Sequence, residues 1–205
     1  MTQPSAAGRP ALTYLLVNKP KGVVTTPAAK GRPSVLDLVP YSLRVEGLRP
    51  VGRLDADSSG LMLITDDRDF AQQLAHGNLG VTAEYRALVA GLASDEQLEK
   101  LRAGMYLLTP TTEGTTTKRA AMESVRILKR YVDRARSDRT LLSIALREGQ
   151  NREIRRMLAR VGLKLRELER VAIGPLRAGE LKPGQAKLIK KKDVERLRGA
   201  TLGSD

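Results

Sequence analysis

Cysteine is absent from the 205-residue chain, which removes disulfide frameworks, thiolate metal sites and a cysteine nucleophile. Tryptophan is absent too, and the remaining aromatics are one Phe and five Tyr. No apolar run approaches the roughly 18–20 residues that span a bilayer. The opening MTQPSAAGRPA lacks the basic-then-apolar order of a secretory signal. Neither G-x-G-x-x-G nor G-x-x-x-x-G-K-[ST] occurs, so the common phosphate-binding loops are missing as well. These absences predict a cytoplasmic protein with no membrane partner.

What the chain has in excess is positive charge. Lys and Arg total 36 against 23 for Asp and Glu, a net +13. Such an imbalance costs self-repulsion and attracts polyanions, of which nucleic acid is the commonest specific partner. The length allows one domain with a real core or two small ones.

The pattern of apolar residues predicts a mixture of short strands and isolated helices. LTYLLV (12–17), the runs 48–51 and 61–65, VTAEYRALV (81–89), 120–128, 140–147, 165–168 and 187–189 read as strands. Residues 35–39 suit a short helical turn. Residues 67–75 and 151–161 carry apolar residues at helical spacing, and Ser94 with Gln97 three residues on forms a capping-box start for a helix to about Ala103. A last charged helix starts near Lys192. No regular β-α alternation is present, so the expected class is α+β with a mixed, largely antiparallel central sheet and flanking helices around a basic cleft. Residues 1–11, punctuated by Pro4, Gly8 and Pro10, read as a disordered arm, 12–198 as the functional domain and 199–205 as a tail.

Two stretches carry chemistry. The first, GRLDADSSGLMLITDD (52–67), places Asp55, Asp57, Ser59, Gly60 and Asp66 where a calcium loop has its positions 1, 3, 5, 6 and 12. That reading fails on its flanks, because Gly47, Pro50 and Gly52 disfavour an entering helix and the twelfth residue is Asp rather than Glu. The alternative is a turn presenting one carboxylate, Asp55, with Arg53 two residues earlier and so on the same face of an extended backbone. The second stretch is GQNREIRRM (149–157). On a helix, Ile154, Met157, Leu158 and Val161 form one stripe. Arg152, Arg156 and Arg160 fall opposite it, and Arg155 lies at its border, placed to turn inward toward a carboxylate.

Together GRLDADSSGL, the Tyr of AEYRALVAG, EGQNREIRRM, RVAIGPLRAGELKPGQ, NKPKGVVTT and GRPSVLDLVP resemble the RsuA-type ribosomal RNA pseudouridine synthases, leaning toward the large-subunit members. The resemblance covers about residues 12–189. It implies a catalytic carboxylate at Asp55, a uracil-stacking Tyr85 and an Arg155 paired with Asp55. It also implies RNA contacts from Arg53, Lys19, Lys21, Asn151, Arg152 and Arg156. Neither cofactor nor metal is implied; the partner is ribosomal RNA and the protein is expected to be a monomer. Small-subunit RNA or tRNA as substrate, or a noncatalytic RNA-binding role, are the alternatives. Departures from the family pattern are Ser58 for Thr, His76-Gly77 for His-Pro, Glu84 where Lys precedes the motif Tyr, and no room before Leu12 for a small RNA-binding module. His76 reads as a loop residue. The basic segments 118–139 and 182–198 are the candidate substitutes for that module.

Overall fold

The computed structural model describes residues 12–26, 31–111, 114–133, 137–147 and 152–199. The expected arm, the tail beyond residue 199 and Asn151 lie outside them. Strands β1 (Tyr14–Lys19), β2 (Arg49–Val51) and β3 (Ser59–Thr65) lead into helix α1 (Arg68–Ala75) and strand β4 (Ala83–Ala90). Helix α2 (Asp95–Ala103) follows, then a hairpin of β5 (Met105–Thr111) and β6 (Gly114–Ala120), then β7 (Ser124–Tyr131) and β8 (Arg139–Leu146). The chain ends with α3 (Glu153–Arg160), β9 (Leu165–Ile173), β10 (Leu176–Arg177), β11 (Ala186–Leu188) and α4 (Lys191–Gly199). Residues Val35–Leu38 and Tyr41–Leu43 form single 3-10 turns.

The main sheet runs β11-β1-β3-β9-β4-β8-β7, with β2 beside β3 and β10 beside β9. Every pairing between its strands is antiparallel except β3 with β9, which is parallel and consists of two residue pairs, Ser59 with Glu169 and Gly60 with Arg170. The sheet therefore has a narrow seam at its middle. Gly60 makes the close approach possible: a Cβ there would lie 2.2 Å from the Arg170 carbonyl oxygen. Buried Arg170 stitches the seam from the other side, its Nε donating to the Leu61 carbonyl at 2.6 Å.

Burial explains which strands read as continuous apolar runs. In β1 and β3, Leu15, Val17, Met62 and Ile64 point into one cluster with Val23, Val35 and Val39. Leu16, Leu61 and Leu63 point to the other face, against Phe70 of α1 and Leu197 of α4. Strands covered on both faces lose the polar alternation. β8 keeps it, with every second residue buried, because one face alone meets the large cluster under α2 and α3.

The helices begin and end where local chemistry dictates. Ser94 accepts from the Gln97 amide and the Gln97 side chain accepts from the Ser94 amide, the expected capping box. Gln97 Nε2 also donates to the Val161 carbonyl at 2.8 Å, tying α2 to the end of α3. α3 buries Ile154, Met157 and Leu158 as the periodicity predicts. It starts two residues later than the sequence suggests because Arg152 takes a left-handed conformation, φ 52°. No helix among the described residues is long and apolar enough to cross a membrane.

Candidate active site

Asp55 sits in the connection from β2 to β3, held from several sides. Thr25, itself buried, donates its hydroxyl to the Leu54 carbonyl at 2.7 Å and accepts from the Leu54 amide at 3.1 Å. The Gly22 amide donates to the Ala56 carbonyl at 2.7 Å, and the Ser58 amide closes a turn on the Asp55 carbonyl at 3.1 Å. The backbone on both sides of the carboxylate is thus fixed, and its direction is set by what faces it. The elements flanking this turn are antiparallel strands, β2 and β3, instead of the two helices a calcium loop requires.

What faces Asp55 is a pair of guanidinium groups. Arg155 Nε donates to Asp55 Oδ2 at 3.1 Å. Its Nη2 donates to Ser58 Oγ at 2.9 Å and lies 2.9 Å from Asp57 Oδ1. Arg152 Nη1 lies 3.1 Å from the same Asp55 oxygen. The Arg155 side chain is 17% exposed and that of Asp55 28%, so this pair is partly shielded and stronger than a fully solvated one. Arg152, half exposed, adds its charge from the rim. Its left-handed backbone costs a non-glycine residue about 1–2 kcal/mol, and that conformation is where the chain turns into α3.

Tyr85 of β4 lies between Ile144 of β8 and Arg170 of β9, beside a break in the β4–β9 register. Its half-buried ring packs against apolar clusters on both sides of the seam. Asp55, Ser58, Tyr85, Arg152 and Arg155 line one cleft of about 410 Å³ together with Arg53, His76 and the apolar Leu54, Leu146, Ile154 and Leu168. The acid comes from the β1–β3 half of the sheet, its main guanidinium partner from α3 on the other half. The cleft straddles the seam.

The remaining expected site residues divide. Lys21 is a surface ammonium, 3.2 Å from Glu167 Oε1. Lys19 corrects the expectation of an RNA contact. It is fully buried, its Nζ donating to the Val23 carbonyl at 2.8 Å and the Pro20 carbonyl at 3.1 Å. Burial pulls its ammonium down to about 8, partly opposed by the Asp57 and Asp55 carboxylates and reinforced by Arg170. Arg156 points away from Asp55 and donates to the Leu108 carbonyl of the hairpin. His76 caps the end of α1, its Nδ1 2.8 Å from the Gln72 carbonyl, at the cleft margin.

Asp57 and Thr25 are absent from the expected site residues, and Arg152 is present there in another role. Expected as an RNA contact on the outer face of a helix, it has a φ of 52° that takes it out of helical geometry and toward Asp55. Asp57 shares Arg155 with Asp55. Thr25, in a segment read as loop, clasps the turn that carries Asp55. Only Asp57 left a signal, as a second carboxylate within the same short turn as Asp55.

A cleft with the volume of a small-ligand site, with a carboxylate between guanidinium groups and a tyrosine ring alongside, has the parts of an enzyme site on a basic protein suited to a polyanion. Residues 13–160 match the family model described as RNA pseudouridylate synthase. An uncharacterized RNA pseudouridine synthase of Mycobacterium tuberculosis is 34% identical over 188 residues, 91% of this chain and 69% of that protein. Ribosomal large subunit pseudouridine synthase B of Bacillus subtilis is 31% identical over 90% of this chain and 71% of its own. A crystal structure of a pseudouridylate synthase superimposes with a TM-score of 0.71 at 22% identity, covering 91% of this chain and 74% of that one, a likeness of fold. The chain belongs to the RNA pseudouridylate synthase family and is an isomerase acting on RNA.

Proposed function

We propose that the enzyme converts one uridine of large-subunit ribosomal RNA to pseudouridine in the Asp55 cleft. It works in the cytoplasm as a monomer, without metal or cofactor. The conversion breaks the bond from ribose carbon one to ring nitrogen one, turns the uracil and rejoins it through carbon five. The proton on carbon five is lost and ring nitrogen one gains one, so nothing is added overall. The target base must leave its stack to be reached. In this reading Asp55 acts at the ribose, Arg155 and Arg152 aim it, Tyr85 stacks on the everted uracil, and Arg53 with Lys21 holds the phosphates.

The observation that carries the reading is the Asp55 carboxylate, 3.1 Å from guanidinium nitrogens of both Arg155 and Arg152, opening on a cleft that also contains Tyr85. A carboxylate so held is an aimed nucleophile or base. Large-subunit RNA is favoured because the Bacillus subtilis relative carries that substrate in its name.

Tritium release from ribosomal RNA labelled at carbon five of uracil measures the reaction directly. Wild type releases label and Asp55→Asn does not; equal release from both would remove Asp55 from the chemistry. Mapping pseudouridines in cells with and without the protein then decides the substrate. The expected result is one large-subunit position lost, and a lost small-subunit or tRNA position would overturn the assignment.

A further inference from the structure

Helix α3 forms a wall of two depressions. Arg152 and Arg155 face the Asp55 cleft; Arg156 and Arg160 face a second groove of about 640 Å³, bounded on its far side by the β5–β6 hairpin. α3 rises about 1.5 Å per residue, so the second groove begins within one turn of Arg155.

The hairpin presents an unusual surface to this groove. Tyr106 pairs with Arg119 and Leu108 with Thr117 across the hairpin. Residues opposite and two apart share a face, so Tyr106, Leu108 and Thr117 stand together. Tyr106 is 65% exposed and Leu108 68%. The hairpin is nevertheless anchored, with Leu107 of the opposite face buried in the large cluster and Arg156 bonded to the Leu108 carbonyl. An exposed aromatic ring on an anchored hairpin beside two guanidinium groups, with no carboxylate among the described lining residues, is chemistry for an anion that carries flat rings. Single-stranded nucleic acid fits this description, its bases stacking and its phosphates pairing with arginine.

We propose that this groove holds a single-stranded RNA segment flanking the target uridine, one unpaired base stacked on Tyr106 and the adjoining phosphates on Arg156 and Arg160. The proposal rests on the RNA-modifying function above and gives the substrate a local requirement: an unpaired stretch next to the modified position.

Fluorescence anisotropy with a mixed-sequence single-stranded RNA of about 12 nucleotides, and a duplex of the same length, tests it. Tyr106→Ala weakens single-strand binding about ten-fold or more, and Tyr106→Phe restores it. Arg160→Glu also weakens it and lowers its salt dependence, while duplex binding changes little in the tyrosine variants. In tritium release on ribosomal RNA transcripts, Tyr106→Ala raises KM and spares kcat. An unchanged single-strand Kd in a Tyr106→Ala protein that melts like wild type overturns the proposal. So does wild type that fails to bind the single strand, or an equal loss on single strand and duplex. If the tyrosine dependence is found but wild type releases no tritium, the groove stands and the reaction assigned to Asp55 falls. Tritium release from wild type, with binding indifferent to Tyr106, does the reverse.

Discussion

At the scale of single residues the cleft depends on Arg155, whose guanidinium meets Asp55, Asp57 and Ser58 at once. Arg155→Ala leaves Asp55 with only the half-exposed Arg152 and free to rotate. Misplacement of this kind costs about 100-fold in turnover; tritium-release kcat checks it, with KM for the RNA changing much less. Arg155→Lys keeps the charge but cannot reach three acceptors with a planar fork, so it recovers only part of the loss. Gly60 is a second position with no latitude. Its φ is +110°, and a methyl group there would meet the Arg170 backbone at 2.2 and 2.6 Å. Gly60→Ala lowers the melting temperature by roughly 10 °C, the consequence of a loss of about 3 kcal/mol in a domain of this size.

At the scale of elements, α4 is fastened to the body by one polar cluster. Tyr14 OH donates to Asp67 Oδ2 at 2.5 Å, Arg198 donates to both, and the Arg198 guanidinium lies 4.9 Å from the Phe70 ring centre. Burial alone would raise the Asp67 carboxyl. Hydrogen bonds from Tyr14 and the Phe70 amide, with the Arg198 charge, outweigh it and hold the group below its ordinary value. Its folded value is therefore lower than its unfolded one of about 3.9. The stability it contributes is complete above that pH and is lost as the pH falls through the folded value. Amide exchange across Lys191–Gly199 accelerates relative to the rest of the chain as the pH falls below about 4, and Asp67→Asn abolishes the difference.

The same scale shows what the sequence could convey. α2 was legible because its capping box is local, α3 because four apolar residues share one face, β1 and β3 because burial on both sides leaves an unbroken apolar run. The β5–β6 hairpin was not legible. β6 exposes six of its seven residues, so no buried face writes a period into the chain. Arg155 could be assigned from its place at the border of the stripe. Arg152 could not, because a wheel assumes helical dihedrals that this residue lacks. Lys19 misled for a different reason: the resemblance placed it among the RNA contacts, whereas the folded chain covers it and turns the carbonyls of nearby Pro20 and Val23 onto its Nζ.

At the scale of the molecule, the +13 charge acts through phosphate contacts that release counterions. With about four such contacts, affinity for a ribosomal RNA fragment falls on the order of 100-fold between ~50 and ~200 mM salt. Nitrocellulose-filter titrations at several salt concentrations measure the slope. Arg160→Glu makes it shallower, whereas Asp55→Asn does not, because the carboxylate opposes phosphate binding.

The two residue pairs joining β3 to β9 carry a further consequence. Acid and guanidinium stand on opposite banks of that junction, each bank with an apolar cluster of its own, while a third cluster joining Leu61 and Leu63 to Ile173 and Leu176 spans it. Warming that loosens the spanning cluster and parts the banks by an ångström disarms the enzyme while the two flanking clusters remain intact. Catalytic inactivation accordingly has a lower midpoint than calorimetric denaturation, and brief cooling from between the two temperatures recovers full turnover.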